Sequence, residues 1–223
     1  MTPLISVITT TNKTDPSIIK NIFNNYNNQN YLNKELILII NSNISQIEYI
    51  NIAIDMNVKD YYIYNLNENI TLGECLNYST EKMNGVFWAK MDDDDIYMPG
   101  YLDEAIKTLL LTKADLVGKN SVILHDKNTE TIYDLNRYKN MFIDFVRGPT
   151  FFCHKSLFNI CKFRHLNKSE DTKFLLDLVE QKRKIYASSE KNFIYIRNSS
   201  LGQTSTTTLK KYLGSKDKII KYN

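Results

Sequence analysis

The first half of the chain alternates between short β-branched segments and amphipathic helical segments. The segment at 4–10, LISVITT, is β-branched and ends in polar turn residues. The following segment, DPSIIKNIFNNY, starts with Asp15 as a helix cap and Pro16 at the first helical position, and its apolar residues recur at helical spacing. Strands that alternate with helices form crossover units, so the pattern predicts an α/β fold with a mainly parallel sheet flanked by helices.

The alternation continues and then becomes irregular. It predicts strands at 35–40, 60–64 and 86–91, and helices at about 45–56, 71–83 and 99–111. In the second half we expect strands in ADLVGKNSVILH, ETIYDL, KIYASS and NFIYIR, a strand turning into a short helix in GPTFFCHKSLFNI, and a helix over 170–182. Residues 1–200 should form one domain. The tail at 201–223 is basic and weakly amphipathic, and either a solvated helix or weak contact with an anionic membrane surface fits it.

Composition excludes several classes of protein. With 223 residues, 43% of them hydrophobic, the chain can bury a substantial core. The net charge is only +3, which argues against a nucleic-acid partner. The N-terminus does not resemble a signal peptide, and no apolar run approaches the roughly 20 residues of a membrane span, so we expect a cytoplasmic protein. Cys75, Cys153 and Cys161 lack metal-ligand spacing and are expected to be reduced core thiols.

Four consecutive aspartates, Asp92 to Asp95, follow the predicted strand at 86–91. Two unit charges about 4 Å apart repel by about 1 kcal/mol even in bulk water, so something must offset their crowding. Three interpretations stay open: a solvated acidic turn, a divalent-cation site, or the start of the helix that Pro99 would open. Ligands of such sheets bind outside the carboxyl ends of the strands, which is where this run is expected.

Four segments together resemble, in order and separation, the family 2 glycosyltransferases with the GT-A fold. They are ISVITTTN, KELILIINS, TLGECLNYSTEKMNGVFWAKMDDDDIYMPGYLDEA and SEDTKFLLDL, and the resemblance extends from about residue 4 to residue 197. It implies one GT-A domain, with a nucleotide-sugar half at about 1–98 and an acceptor half at about 99–200. It also implies inverting, metal-dependent transfer of a sugar from a nucleoside-diphosphate donor, a UDP-sugar by default, to an acceptor hydroxyl.

The resemblance assigns roles to the acidic residues. Asp92 would contact the donor ribose or the metal shell, Asp93 would lie beside it in the donor site, and Asp94 would coordinate a Mn²⁺ or Mg²⁺ ion bridging the donor diphosphate. Such a cation would also offset the repulsion within the run. Asp171 matches the family's catalytic base, which takes a proton from the acceptor hydroxyl. The alternative for Asp171 is an ordinary helix start, since Ser169 precedes it as a potential cap.

The same resemblance implies weaker assignments, whose alternative is plain turn and cap chemistry. The further donor-binding candidates are Thr10, Thr11, Asn41, Gly73, Asn77 and Arg197. The candidates for acceptor contacts are Gly148, His154 and Glu170. Trp88 lies in a predicted buried strand and is expected to pack in the core. The usual acidic residue after the second strand is replaced by Asn41, which leaves the nucleotide base open.

Other functions fit the sequence less well. A sugar-phosphate nucleotidyltransferase needs a glycine-rich first loop, and TTTNKTDPS contains no glycine. A phosphatase with an aspartyl nucleophile would carry its Asp-x-Asp motif after the first strand instead of the fourth. The alternative that remains is a non-catalytic scaffold with a degenerate transferase fold that binds a nucleotide sugar or a cation. For the enzyme, a glycan, a lipid-linked molecule or a peptide is an equally open acceptor.

Overall fold

The computed structural model of the chain describes residues 2–198, 213 and 217–220. The elements, in chain order, are β1 (Ile5–Thr11), α1 (Pro16–Asn27), β2 (Lys34–Asn41), α2 (Ile47–Asp55), β3 (Tyr61–Leu66), α3 (Leu72–Lys82), β4 (Phe87–Lys90), β5 (Ile96–Tyr97), α4 (Tyr101–Thr112), β6 (Leu116–Gly118), β7 (Val122–Asp126), β8 (Thr131–Leu135), β9 (Met141–Phe142), β10 (Phe152–His154), α5 (Glu170–Glu180), β11 (Ile185–Ala187), β12 (Phe193–Arg197) and β13 (Lys218–Ile220). Two 3₁₀ helices, Gly148–Thr150 and Lys155–Asn159, flank β10.

The strands form two sheets. The larger has the order β3-β2-β1-β4-β10-β6-β11-β9, and the smaller has the order β13-β8-β7-β12-β5. In the larger sheet β3, β2, β1 and β4 are all parallel, as the alternation predicts, whereas β10 is antiparallel to both of its neighbours. The predicted α/β class with flanking helices is confirmed, and the sheet is parallel in its first half and mixed in its second.

Local sequence signals explain where two of the helices begin. The Asp15 side chain accepts a hydrogen bond from the Ser17 amide at 2.8 Å, and Pro16 opens α1. Thr71 and Glu74 form a capping box at the start of α3, which satisfies two backbone amides reciprocally. Both features anchor helices whose preceding strands end at the same edge of the sheet.

The core lies on both faces of the larger sheet. Alternate residues of β1 enter different apolar clusters, with Ile5 and Val7 in one and Ile8 in the other. This two-sided burial is what a parallel sheet covered by helices requires. Trp88 is fully buried, as predicted, and Cys75, Cys153 and Cys161 are buried free thiols.

Several expectations need correction. ADLVGKNSVILH forms two strands, β6 and β7, that belong to different sheets. The two-residue strands β5 and β9 were missed, because so short a segment carries no periodicity.

The tail was expected to be helical, but residues Lys218–Ile220 form β13, paired antiparallel with β8. Most of the other tail residues, and with them the predicted membrane contact, lie outside the described residues. Among the described residues, no helix combines the length and hydrophobicity that a membrane span needs.

Candidate active site

A cavity of about 850 Å³ opens at the carboxyl ends of β1, β2 and β4 and extends to the start of α5. This volume suits a ligand larger than a simple ion. The structure brings most of the predicted site residues into its lining, namely Thr10, Thr11, Asn41, Asp92, Asp93, Asp94, Gly148, Glu170, Asp171 and Arg197. Segments far apart in sequence therefore meet in one cavity.

The four aspartates divide between the cavity and the core. Asp92, Asp93 and Asp94 line the cavity, and Asp93 accepts a hydrogen bond from the Thr11 hydroxyl at 2.6 Å. Burial, together with the charge of Asp94, raises the pKa of Asp93 to about 7. Asp95 is fully buried and accepts a hydrogen bond from the Ile196 amide at 2.8 Å, which ties the run to β12. It thus serves the fold and does not line the cavity.

Burial disfavours the ionised form of the last carboxyl of the run, that of Asp95. Burial, with the charges of Asp94 and Asp92, holds the pKa of Asp95 well above its usual range. Among the described residues its Oδ2 atom has no hydrogen-bond partner, which suits a neutral carboxyl better than a carboxylate. The buried Asp93 and Asp95 carboxyls therefore ionise less readily than exposed aspartates, because burial raises the pKa of each.

Lys90 offsets the acidic run further, and sequence reasoning missed it. Its side chain is only 6% exposed, forms an ion pair with Asp92 and lines the cavity. Burial alone lowers the pKa of Lys90, but the charges of Asp92, Glu170 and Asp171 outweigh it and raise that pKa above its ordinary value. Lysine is rarely buried unless it is paired with a carboxylate. Its place at the end of a strand predicted to be buried, two residues before Asp92, was therefore a sequence signal for this ion pair.

Asp171 enters the cavity from the first turn of α5. Ser169, the residue before the helix, has a left-handed conformation with φ of 63° and makes no side-chain cap. The helix start expected as the alternative for Asp171 is nevertheless present, and the Asp171 carboxylate accepts a hydrogen bond from the Thr172 amide at 2.6 Å. The Asp171 carboxylate lies directly over Gly148, where an added Cβ would be 2.3 Å from Oδ2. Gly148, predicted as an acceptor contact, therefore also makes room for Asp171. Glu170 is buried beside it, and burial raises the pKa of its carboxyl.

Three predicted residues lie away from the cavity lining. The Asn77 side chain pairs with the backbone of Phe163, and Gly73 lies so close to Arg164 that an added Cβ would be 1.9 Å from its carbonyl oxygen. Both residues therefore hold α3 against another loop, because their polar groups and space are already occupied. His154 is exposed and bonds Ser156, two residues along the chain.

The cavity wall also contains residues that the sequence did not reveal. Phe145, Arg147, Lys168 and Tyr195 line the cavity there. The Arg147 guanidinium lies 5.7 Å from the centre of the Tyr195 ring, a cation–π geometry. These residues come from irregular segments and a short strand, where the spacing of residue types gives no signal.

The carboxylates fit a cation only in part. Among residues 2–198, 213 and 217–220, no group of three or more His, Cys, Asp or Glu side chains is arranged to hold a metal ion. Hard divalent cations take six or more oxygen ligands and are often held by one or two carboxylates plus substrate phosphates. Asp94 and Asp92 lie at the cavity wall, and the Asp92 carboxylate already pairs there with Lys90.

Comparison with protein-family models and with curated proteins finds no match. Comparison with solved structures finds Staphylococcus aureus TarS. The crystal structure of TarS 1–349 with UDP-GlcNAc has a TM-score of 0.66 and 17% identity, and the match covers 87% of this chain and 58% of that one. The complex of TarS 1–349 with UDP has a TM-score of 0.65 and 15% identity, covering 87% and 60%. The chain thus spans less than two thirds of TarS 1–349. The likeness shows the fold, and that fold is the GT-A type predicted from the sequence.

Proposed function

We propose that the protein is an inverting, metal-dependent glycosyltransferase that moves a sugar from a nucleoside-diphosphate donor to an acceptor hydroxyl. The observation that carries the proposal is the meeting of the aspartates of the acidic run with Asp171 in one cavity, although they come from opposite halves of the chain. The likeness to a protein solved with UDP-GlcNAc supports a UDP-sugar as the donor.

The donor side of the cavity is assigned to the ends of β1 and β2. Thr10, Thr11 and Asn41 line this part of the cavity beside Asp92 and Asp93. The Thr11 hydroxyl already donates to Asp93, and the Asn41 side chain donates to the Asn67 carbonyl oxygen, so a nucleoside would share or replace these bonds. Asp94 and Asp92 are the residues that would hold a Mn²⁺ or Mg²⁺ ion, and such an ion offsets negative charge on the departing nucleoside diphosphate. Arg197 lines the same cavity as a candidate for contact with diphosphate oxygens.

Asp171 is assigned as the general base. It takes the proton of the acceptor hydroxyl while that oxygen forms a bond to the anomeric carbon. The bond between the anomeric carbon and the diphosphate oxygen breaks with its electron pair, and the nucleoside diphosphate leaves from the opposite face. The close packing of the Asp171 carboxylate on Gly148 fixes the position of the base in the cavity. A glycan, a lipid-linked molecule or a peptide can supply the hydroxyl.

The donor site is tested by thermal unfolding with UDP, GDP, dTDP or CDP, each with and without Mn²⁺. A ligand that binds only the folded protein at a hundredfold excess over its Kd stabilises it by about 2.7 kcal/mol. We expect UDP with Mn²⁺ to raise the midpoint, Asp94→Asn to abolish the increase, and the exposed control Asp55→Asn to retain it. A wild type whose midpoint no nucleotide raises would contradict the proposal.

The base assignment separates the enzyme from the scaffold. We expect Asp171→Asn to keep the nucleotide-dependent thermal shift and to lose hydrolysis of UDP-GlcNAc, with water as the acceptor, by a factor of about 10²–10⁴. Hydrolysis by Asp171→Asn at the wild-type rate would refute the assignment. Nucleotide binding without hydrolysis or transfer in the wild type would favour the scaffold.

A further inference from the structure

The buried hydroxyl of Tyr97 joins two segments of the candidate active site. It accepts a hydrogen bond from the Asp92 amide at 2.8 Å and donates one to the Pro149 carbonyl oxygen, also at 2.8 Å. Asp92 begins the acidic run, and Pro149 follows Gly148 in the 3₁₀ turn that leads into β10. One oxygen atom therefore bridges the donor-side loop and the acceptor-side turn.

The core fixes the position of that hydroxyl. Tyr97 is 2% exposed, and its backbone amide donates to the Asn25 side chain at 3.0 Å. Its ring centroid lies 4.9 Å from that of Tyr101 and 5.1 Å from that of Phe193, in a tilted or edge-on arrangement. A ring held on two sides in a close-packed interior has little freedom to move its hydroxyl.

The bridge ends next to the assigned base. Pro149 is bonded to Gly148, and the Asp171 carboxylate packs on Gly148 so closely that an added Cβ would lie 2.8 Å from the Asp171 Cβ. A displacement of the turn would therefore displace Asp171. On the other side, the Asp92 amide is part of the backbone that carries Asp92 to Asp94. Tyr97 thus connects both groups of carboxylates through short, rigid contacts.

We propose that Tyr97 is a positioning residue that sets the separation between the donor-side aspartates and Asp171. The inference rests on the proposed function, because only a transfer reaction needs these two groups at a fixed distance. A misplacement of about 1 Å between reacting groups can reduce the rate about a hundredfold. A buried hydroxyl with one donor and one acceptor partner maintains such a distance without touching the substrate.

Tyr101 offers a matched control. Tyr101 is also 2% exposed, and its ring packs against the ring of Tyr97. Among the described residues, the Tyr101 hydroxyl has no hydrogen-bond partner. Tyr97→Phe and Tyr101→Phe each remove one buried hydroxyl from the same aromatic cluster. Only the first removes the bridge, so the difference between the two variants isolates its effect.

The test combines amide hydrogen exchange with steady-state hydrolysis of UDP-GlcNAc and binding of UDP with Mn²⁺. For Tyr97→Phe we expect faster exchange in peptides covering 91–95 and 148–151, a kcat about ten- to a hundredfold lower, and a much smaller change in the Kd of UDP. Tyr101→Phe should match the wild type in all three measurements. A general loss of packing would affect both variants and would not be confined to kcat.

Two results would overturn the inference: exchange in Tyr97→Phe equal to that in Tyr101→Phe, or faster exchange with an unchanged kcat. A wild type that neither binds nucleotide nor hydrolyses donor would refute the proposed function and with it the need for a fixed separation. In that case the exchange data would still show whether Tyr97 joins the two segments. The failure of the bridge and the failure of the function are therefore distinguishable.

Discussion

Gly148 is the residue whose lack of a side chain matters most to the candidate active site. In Gly148→Ala the new Cβ would lie 2.3 Å from Asp171 Oδ2, so either the carboxylate rotates or the turn shifts. We expect hydrolysis of UDP-GlcNAc to fall by at least about tenfold, with overpacking that costs about 1–3 kcal/mol of stability. Steady-state kinetics and urea unfolding measure the two effects.

Gly100→Ala provides the comparison for Gly148→Ala. Its added Cβ would lie 3.1 Å from the Asn192 side chain, at the start of α4 and outside the cavity lining. This contact is tight but involves a side-chain atom, so hydrolysis should stay near the wild-type rate. Equal hydrolysis by Gly148→Ala and the wild type would show that the packing on Gly148 does not position Asp171.

Single residues differ in how far the sequence reveals them. The acidic run was recognisable because four adjacent carboxylates need a physical reason, and its place after a strand predicted its location. The packing of Asp171 on Gly148 joins segments that are distant in sequence, so no local pattern encodes it and only the folded chain reveals it. Lys90 and Asp92 are only two residues apart, and a lysine at the end of a buried strand beside the acidic run is a local signal for their pairing.

At the scale of elements, α3 is fastened to the loop that leads to α5. The Asn77 side chain donates to the Phe163 carbonyl at 2.8 Å and accepts from the Phe163 amide at 3.0 Å. The Gly73 amide donates to the Leu166 carbonyl at 3.0 Å. These contacts occupy the Asn77 side chain and the space beside Gly73, two residues that the family resemblance assigns to the donor site.

We therefore expect Asn77→Ala to reduce stability without weakening nucleotide binding. Loss of both bonds leaves the Phe163 backbone groups without that partner, which should lower the free energy of unfolding by about 1–3 kcal/mol. Urea unfolding and UDP titration measure the two quantities. Asn27→Ala, which removes one exposed bond to the Met56 carbonyl, should cost less than about 0.5 kcal/mol. If Asn77→Ala bound UDP more weakly at unchanged stability, Asn77 would be a contact of the donor after all.

For the whole molecule, regular crossovers were predictable and the mixed half was not. Apart from the two-residue β5, the strands and helices up to α4 follow the alternation closely, because each of these strands has at least four residues and each helix shows periodicity. From β6 onward several strands have only two or three residues, and neighbours in sequence such as β6 and β7 join different sheets. Tertiary packing decides such strand pairings, and local sequence patterns do not predict them.

The C-terminal strand is the clearest case of a pairing decided by tertiary contacts. β13 pairs with β8 at one edge of the smaller sheet. Next to β13, Arg137 and Asp217 form a bidentate ion pair whose Nη2–Oδ2 distance is 2.8 Å. The Asp217 side chain is 3% exposed. Removing one partner of a buried pair leaves an uncompensated charge, whereas an exposed pair contributes little.

We expect Asp217→Asn to lower the free energy of unfolding by about 1–3 kcal/mol, less than for a fully buried pair because Arg137 is partly exposed. Arg164 and Asp177 form a similar fork with a 22% exposed aspartate, so Asp177→Asn should cost less than about 1 kcal/mol. Urea unfolding compares the two, and a double-mutant cycle with Arg137→Gln isolates the pair. Equal losses in both aspartate variants would mean that the buried ion pair does not hold the C-terminal strand in place.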